Sequence, residues 1–217
     1  MQMEKKLIFE KKTMTMERDA RPVYTPEYIT QLRPDEVFVF GSNLAGMHGG
    51  GAAYIAWRRF GAVMGQGVGL QGQSYAIPTM QGGVETIRPY VDKFIAFAGE
   101  HPEKFFYVTR IGCGIAGFRD DEIAPLFAGA LDMDNVCLPE SFSRIARVCR
   151  VQEMEERFDR ADSEDLAVLR EYMDSGRWKA DFEADERGEI PSGLKRGVLS
   201  EDGLYDLLQE HNPENPC

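Results

Sequence analysis

Histidine and cysteine are scarce and scattered in this chain. His48, His101 and His211 lie far apart, and Cys113, Cys137, Cys149 and Cys217 show neither metal-ligand spacing nor the density of a disulfide framework. No metal centre is expected, and no cofactor is called for. No apolar run approaches the length that spans a bilayer, and Met1–Lys6 lacks the apolar stretch of a signal peptide. A cytoplasmic protein without a membrane partner is the expectation. Clustered Lys and Arg are missing too: the net charge is −11, which argues against binding to a nucleic-acid backbone. There is no internal repeat and no low-complexity segment.

What is present is unevenly placed. Residues 151–217 hold 8 Lys and Arg against 19 Asp and Glu, which leaves 17 of each sign in residues 1–150. Of the 22 glycines, 16 lie between Gly41 and Gly117. A neutral, glycine-rich front over residues 21–142 and an acidic helical module over 143–217 are implied. Residues 1–20 are charged, Met-rich and without periodicity, and are expected to form a flexible leader.

The front is organised around Val37–Ala53. Val37-Phe38-Val39-Phe40 reads as a strand, Ser42-Asn43 as a polar turn, and Gly46, Gly49, Gly50 and Gly51 as a loop that opens a helix over Ala52–Phe60. Such a loop lets backbone approach a ligand closely, while the helix start offers unpaired N–H groups and a partial positive charge. Together these hold an anion. A tight turn without a ligand is the plainer alternative.

Further along, a short helix is expected at Pro26–Leu32. Strands are expected at Ser74–Pro78, Phe105–Thr109 and Asn135–Leu138, and an amphipathic helix at Glu85–Glu100. Gly67–Gly72 matches G-x-G-x-x-G but follows a helix and enters a strand, so it is read as a flexible surface loop and not as a dinucleotide fingerprint. Arg110–Phe118 is a second glycine loop, followed by a helix over Asp120–Leu131 with Asp120 as its N-cap. Alternating strands and helices imply an α/β fold: a mostly parallel sheet with helices on both faces, and both loops leaving carboxyl strand ends where such sheets bind ligands. In the back part, helices are expected at Arg144–Phe158, at Ser163–Met173 with Gly176 as its stop, and after Ser200. Trp178–Phe182 reads as a further turn, and the acidic run Asp181–Glu189 as a solvated face.

Two chemistries suit the loops. Gly112-x-Gly114-x-x-Gly117 follows a strand, and Glu140 follows the next strand, as in a Rossmann site that binds a ribose hydroxyl through the acid. Against this, the chain turns acidic and helical immediately afterwards, and the first loop is left without a role. Alternatively, two loops on neighbouring strand ends clamp a diphosphate between opposed backbone N–H groups, without a lysine. His48 either donates to phosphate or acts as an acid/base group, or else packs the loop. Cys113, between glycines, is either a thiol of lowered pKa or a small structural residue. Arg110 pairs with phosphate or neutralises Asp120 or Asp121.

Gly41-Ser42-Asn43-Leu44 with Gly49-Gly50-Gly51-Ala52-Ala53, then Ser74–Thr79, then Arg110–Phe118 resembles the macro domain family over residues 21–142. The second loop is closest to the branch that removes ADP-ribose from carboxylate side chains. More narrowly, the front is similar to an uncharacterised macro-like family of bacteria and phages. The resemblance implies a three-layer α/β/α sandwich with a mostly parallel mixed sheet, and ADP-ribose or a related nucleotide as ligand. It implies ligand contacts from Ser42, Asn43, Leu44, Gly49, Gly50, Gly51 and Ala52, with Asn43 holding the distal ribose. It adds Arg110, Gly112, Cys113, Gly114, Ile115, Ala116, Gly117 and Phe118 from the second loop, with Phe118 near that ribose. Catalysis, if present, would be hydrolysis of an ADP-ribose derivative through Asn43 and His48. That branch carries an acid just after its Gly-Cys-Gly segment, where this chain has Ile115-Ala116-Gly117. The back part, through Trp178-x-x-Asp181-Phe182 and Leu194–Gly203, resembles a small bacterial family of unknown function. A non-catalytic adaptor, with the module recruiting an unidentified protein partner, is a third reading.

Overall fold

The computed structural model describes residues 21–211; the expected leader and Cys217 lie outside them. Five strands form one mixed sheet in the order β2-β3-β1-β4-β5: β1 (Glu36–Ser42), β2 (Gly69–Gln71), β3 (Ser74–Pro78), β4 (Phe105–Val108) and β5 (Val136–Cys137). β1 is central and parallel to both β3 and β4, β5 is parallel to β4, and only β2 runs antiparallel.

The alternation along β1 assigns its two faces. Val37 and Val39 join Tyr75, Ile77, Phe106 and Val108 under α2 (Val84–Glu100), whose Ile87, Val91, Phe94 and Ala98 are completely buried. Phe38 and Phe40 face the other way, against Ala53, Ala56 and Phe60 of α1 (Gly51–Arg59) and its C-cap. The architecture is α/β/α.

Three expectations in the front differ from the structure. Pro26–Leu32 is not helical. Thr25 donates its N–H to the Leu138 carbonyl at 2.9 Å and its hydroxyl to the Cys137 carbonyl at 2.6 Å, which ties the segment along the sheet. Ile29 and Leu32 then cover Phe105, Tyr107 and Cys137, so the segment takes the place of a helix on that face. The helix expected over Asp120–Leu131 is split: α3 (Asp120–Ile123) gives way to a 3-10 helix (Ala124–Ala130), with Pro125 at its start. The N-cap is Arg119 and not Asp120, and the Arg119 N–H donates to the Glu122 carboxylate at 2.8 Å. Finally, the 63–72 segment is not simply a surface loop, because it contains β2 and a buried Gly67.

The back part begins with α4 (Glu140–Arg160), which runs through the boundary drawn at residues 142–143. Its first turns carry Phe142 and Ile145 into the sheet core. Its later turns carry Val151 and Met154 into a second core with Leu169, Tyr172, Leu204 and Leu208. These come from α5 (Ser163–Asp174) and α7 (Glu201–Glu210), capped by Asp162 and by Ser200. Between them lies α6 (Arg177–Glu186), a full helix where a turn was expected.

Asp181 corrects the reading of its acidic run as a solvated face, because its carboxylate is completely buried. It accepts from Arg147 at 2.7 Å, from Arg150 at 2.6 and 2.8 Å, and from the Tyr172 hydroxyl at 2.8 Å. Arg150 also reaches Asp132 of the front at 2.7 Å, joining the two parts. Paired this way, the charges offset much of their desolvation. Among the described residues, no helix is long and apolar enough to cross a membrane.

Candidate functional site

The parallel pairing of β1 with β4 sets the two glycine loops side by side at carboxyl strand ends. Gly41 sits at their junction: a Cβ there would meet the Gly112 nitrogen at 3.3 Å and Thr79 Oγ1 at 3.4 Å. Between the loops lies a cleft of about 340 Å³.

The first loop is closed from within by Asn43. Its Nδ2 donates to the Met47 carbonyl at 3.0 Å, and its Oδ1 accepts the Met47 N–H at 3.1 Å. Both ends of this carboxamide are engaged inside the loop. Gly49–Ala53 lead into α1, whose first turn has neither a side-chain cap nor an acidic residue. An uncapped helix start presents unpaired N–H donors.

In the second loop, Gly112 and Gly117 have φ of +75° and +80°, and the Phe118 N–H closes onto the Gly112 carbonyl at 3.0 Å. Among the described residues, the N–H groups of Gly114, Ile115 and Ala116 donate no backbone hydrogen bond. Ile115 reaches across to the first loop, its Cδ1 lying 3.1 Å from where a Cβ on Gly50 would be.

Of the candidate residues, Ser42, Asn43, Gly49, Gly50, Gly51, Ala52, Arg110, Gly112, Gly114, Ile115 and Ala116 line the cleft. Leu44, His48, Cys113, Gly117 and Phe118 do not. Leu44 is exposed, and Phe118 packs against the sheet core. His48 is completely buried behind the loop, edge-on to Phe40, with Nε2 3.1 Å from the Val63 carbonyl. Cys113 is partly buried, and its thiol is pushed up to about 12 by burial and by the nearby Asp120 carboxylate, the reverse of an activated thiol.

Met47, Thr79, Met80 and Thr109 also line the cleft and were not among the candidates. Thr79 and Thr109 each follow a strand at its carboxyl end, so the general placement of α/β ligand sites could have found them. The hydroxyls in the cleft are committed to backbone: Ser42 donates to the Asn43 carbonyl, Thr79 to that of Ser42 and Thr109 to that of Val39.

Arg110 is the one ionisable side chain lining the cleft among the described residues. It pairs with Asp120, not Asp121, its Nη2 at 2.7 Å and Nε at 3.2 Å from the carboxylate, and this raises its pKa. Burial pushes Asp120 up, but its side-chain hydrogen bonds, that of Arg110 foremost, together with the Arg110 charge outweigh it and hold the carboxyl below its ordinary value. Arg110 and Thr109 also wall a second cavity of about 510 Å³, lined by Tyr24, Glu27, Asp120 and Glu140 among others. Glu140 heads α4 and pairs with Arg144 at 2.6 Å. No three His, Cys, Asp or Glu side chains among the described residues converge to hold a metal ion.

No curated protein and no solved structure matches the chain. Residues 145–214, from the second turn of α4 through α7, are similar to a family described as a domain of unknown function, DUF4298.

Proposed function

We propose that the front part binds ADP-ribose or a related nucleoside diphosphate in the cleft between the two loops, and that it binds without hydrolysing. The observation that carries this reading is the meeting of an uncapped helix start with a second loop whose Gly114, Ile115 and Ala116 N–H groups donate no backbone hydrogen bond among the described residues. Backbone donors opposed across a narrow gap suit a diphosphate and need no lysine. The macro-like order of the three motifs agrees with the same ligand class.

The lining around the diphosphate position supports binding without turnover. Hydrolysis needs a group that takes a proton or attacks, within hydrogen-bond reach of the substrate. The only ionisable lining side chain among the described residues is an arginine already paired with Asp120, and the lining hydroxyls all donate to carbonyls. The adjoining cavity, with Glu27 in its wall, suits the amino-bearing base at the other end of the nucleotide.

Calorimetric titration with ADP-ribose, NAD and AMP tests the proposal. ADP-ribose should bind most tightly and be recovered intact. Tighter binding of NAD would favour a dinucleotide site on Gly112–Gly117, and release of ribose products would restore the hydrolase reading.

A further inference from the structure

The glycine-rich segment between α1 and β3 lines neither cavity described above, yet it lies directly behind the first loop. The Gly65 N–H donates to the Gly46 carbonyl at 3.0 Å. His48, inside the loop, donates its backbone N–H to Met64 Sδ at 3.4 Å, and its Nε2 is 3.1 Å from the Val63 carbonyl. A carbonyl only accepts, so Nε2 carries the proton and the ring is a donor to the segment.

The fit is backbone against backbone. A Cβ on Gly67 would overlap the Asn43 carbonyl oxygen and come to 2.8 Å from that of Leu44. One on Gly46 would overlap the Gln66 nitrogen. The segment is itself held from inside by Gln71, which is 4 % exposed: its Oε1 accepts the Val63 N–H at 2.6 Å, and its Nε2 donates to the Gln66 carbonyl at 2.9 Å.

We propose that residues 63–71 form a buttress that fixes the first loop in its ligand-ready shape, with His48, Gly67 and Gln71 as positioning residues that set affinity without touching the ligand. The physical reason is preorganisation. A glycine run has much backbone freedom to lose on binding, and a support that removes it beforehand lowers that cost. The affinity part rests on the proposed nucleotide function; the mechanical part does not.

Hydrogen exchange of the ligand-free full chain, read over residues 43–51, separates the two parts. His48→Phe keeps a ring against Phe40 and removes the donor, whereas His48→Gln can restore one. Gly67→Ala probes the close approach, and Gly193→Ala is the control, since its position lies outside the segment and a Cβ there meets open space. We expect exchange over 43–51 to speed up about tenfold in His48→Phe, the scale of one lost hydrogen bond, and at least as much in Gly67→Ala, where a Cβ would press on backbone, with ADP-ribose binding weakened by similar factors. His48→Gln and Gly193→Ala should resemble the parent. If Gly67→Ala does not fold, the two His48 variants decide. Unchanged exchange over 43–51 in His48→Phe overturns the buttress. Faster exchange with undiminished ADP-ribose affinity overturns its control of binding. A parent chain that does not bind ADP-ribose refutes the proposed function and leaves the exchange result to decide the buttress.

Discussion

Arg110 and Asp120 stand face to face, with Nε 3.2 Å from both carboxylate oxygens and Nη2 2.7 Å from one of them. Arg110 lines both cavities and Asp120 only the second, so the acid occupies the cation that an anionic ligand in the cleft would otherwise meet. Asp120→Asn removes the competing charge. ADP-ribose should then bind about threefold to tenfold more tightly at low salt, and the gain should fade as salt is added. Calorimetry at two ionic strengths checks this; an unchanged Kd would place Arg110 outside the ligand's reach.

Gly50 is extended, with φ −159° and ψ 168°, a backbone any residue adopts. Gly50→Val should therefore fold normally. Its side chain would press on Ile115 Cδ1, 3.1 Å from the Cβ position, and displace that exposed side chain in front of the α1 start. ADP-ribose binding should be lost while the circular dichroism spectrum is unchanged. Normal binding by a folded variant would make the loop no more than a turn.

Because α4 carries Phe142 and Ile145 into one core and Val151 and Met154 into another, where the chain is cut matters. A chain ending at Phe142 loses nearly all of the helix that holds Phe142 in place and should melt far below the full chain. One ending at Ala161 keeps α4, and should fold and retain ADP-ribose affinity. Thermal melts of the two truncations, with titration of the folded one, check both statements.

The Tyr107 hydroxyl donates to Glu36 at 3.1 Å. Burial, followed by the charge and hydrogen bond of Glu36, pushes its pKa up to about 12 from an ordinary 10.0. The folded state thus holds this proton more firmly than the unfolded chain does. The resulting stability is full below pH 10.0 and is lost as the pH climbs to about 12. In Tyr107→Phe that part of the alkaline decline should be missing. Urea midpoints of both proteins across this range give the comparison; parallel curves would count against it.

Legibility followed the range of the interactions. Val37–Phe40 announces β1 because consecutive apolar, β-branched and aromatic residues suit a strand buried on both faces. The two glycine loops are equally visible, since close approach and positive φ leave a mark on composition. The burial of Asp181 is not legible, because its partners Arg147 and Arg150 are 34 and 31 residues away and nothing local distinguishes it from the exposed Glu183 and Glu186. His48 shows the same limit: its position in the loop was plain, but whether it faced the cleft or the 63–71 segment depended on tertiary contact. Pro125 did leave a local sign, the break between α3 and the 3-10 helix, and apolar spacing alone read through it.

The sheet order decides when during folding the cleft is completed. Among the described residues, β2 and β3 form the only hairpin of the sheet, whereas β1 must find β3 and β4 across long stretches of chain. Parallel, non-local pairing of this kind is slow to form, because loop closure precedes any reward. The two loops come together only when β1 and β4 are in register, so the cleft is completed late. A nucleotide that fits it would recognise the finished sheet and no earlier species. Added ligand should therefore slow unfolding and leave the early folding phases untouched.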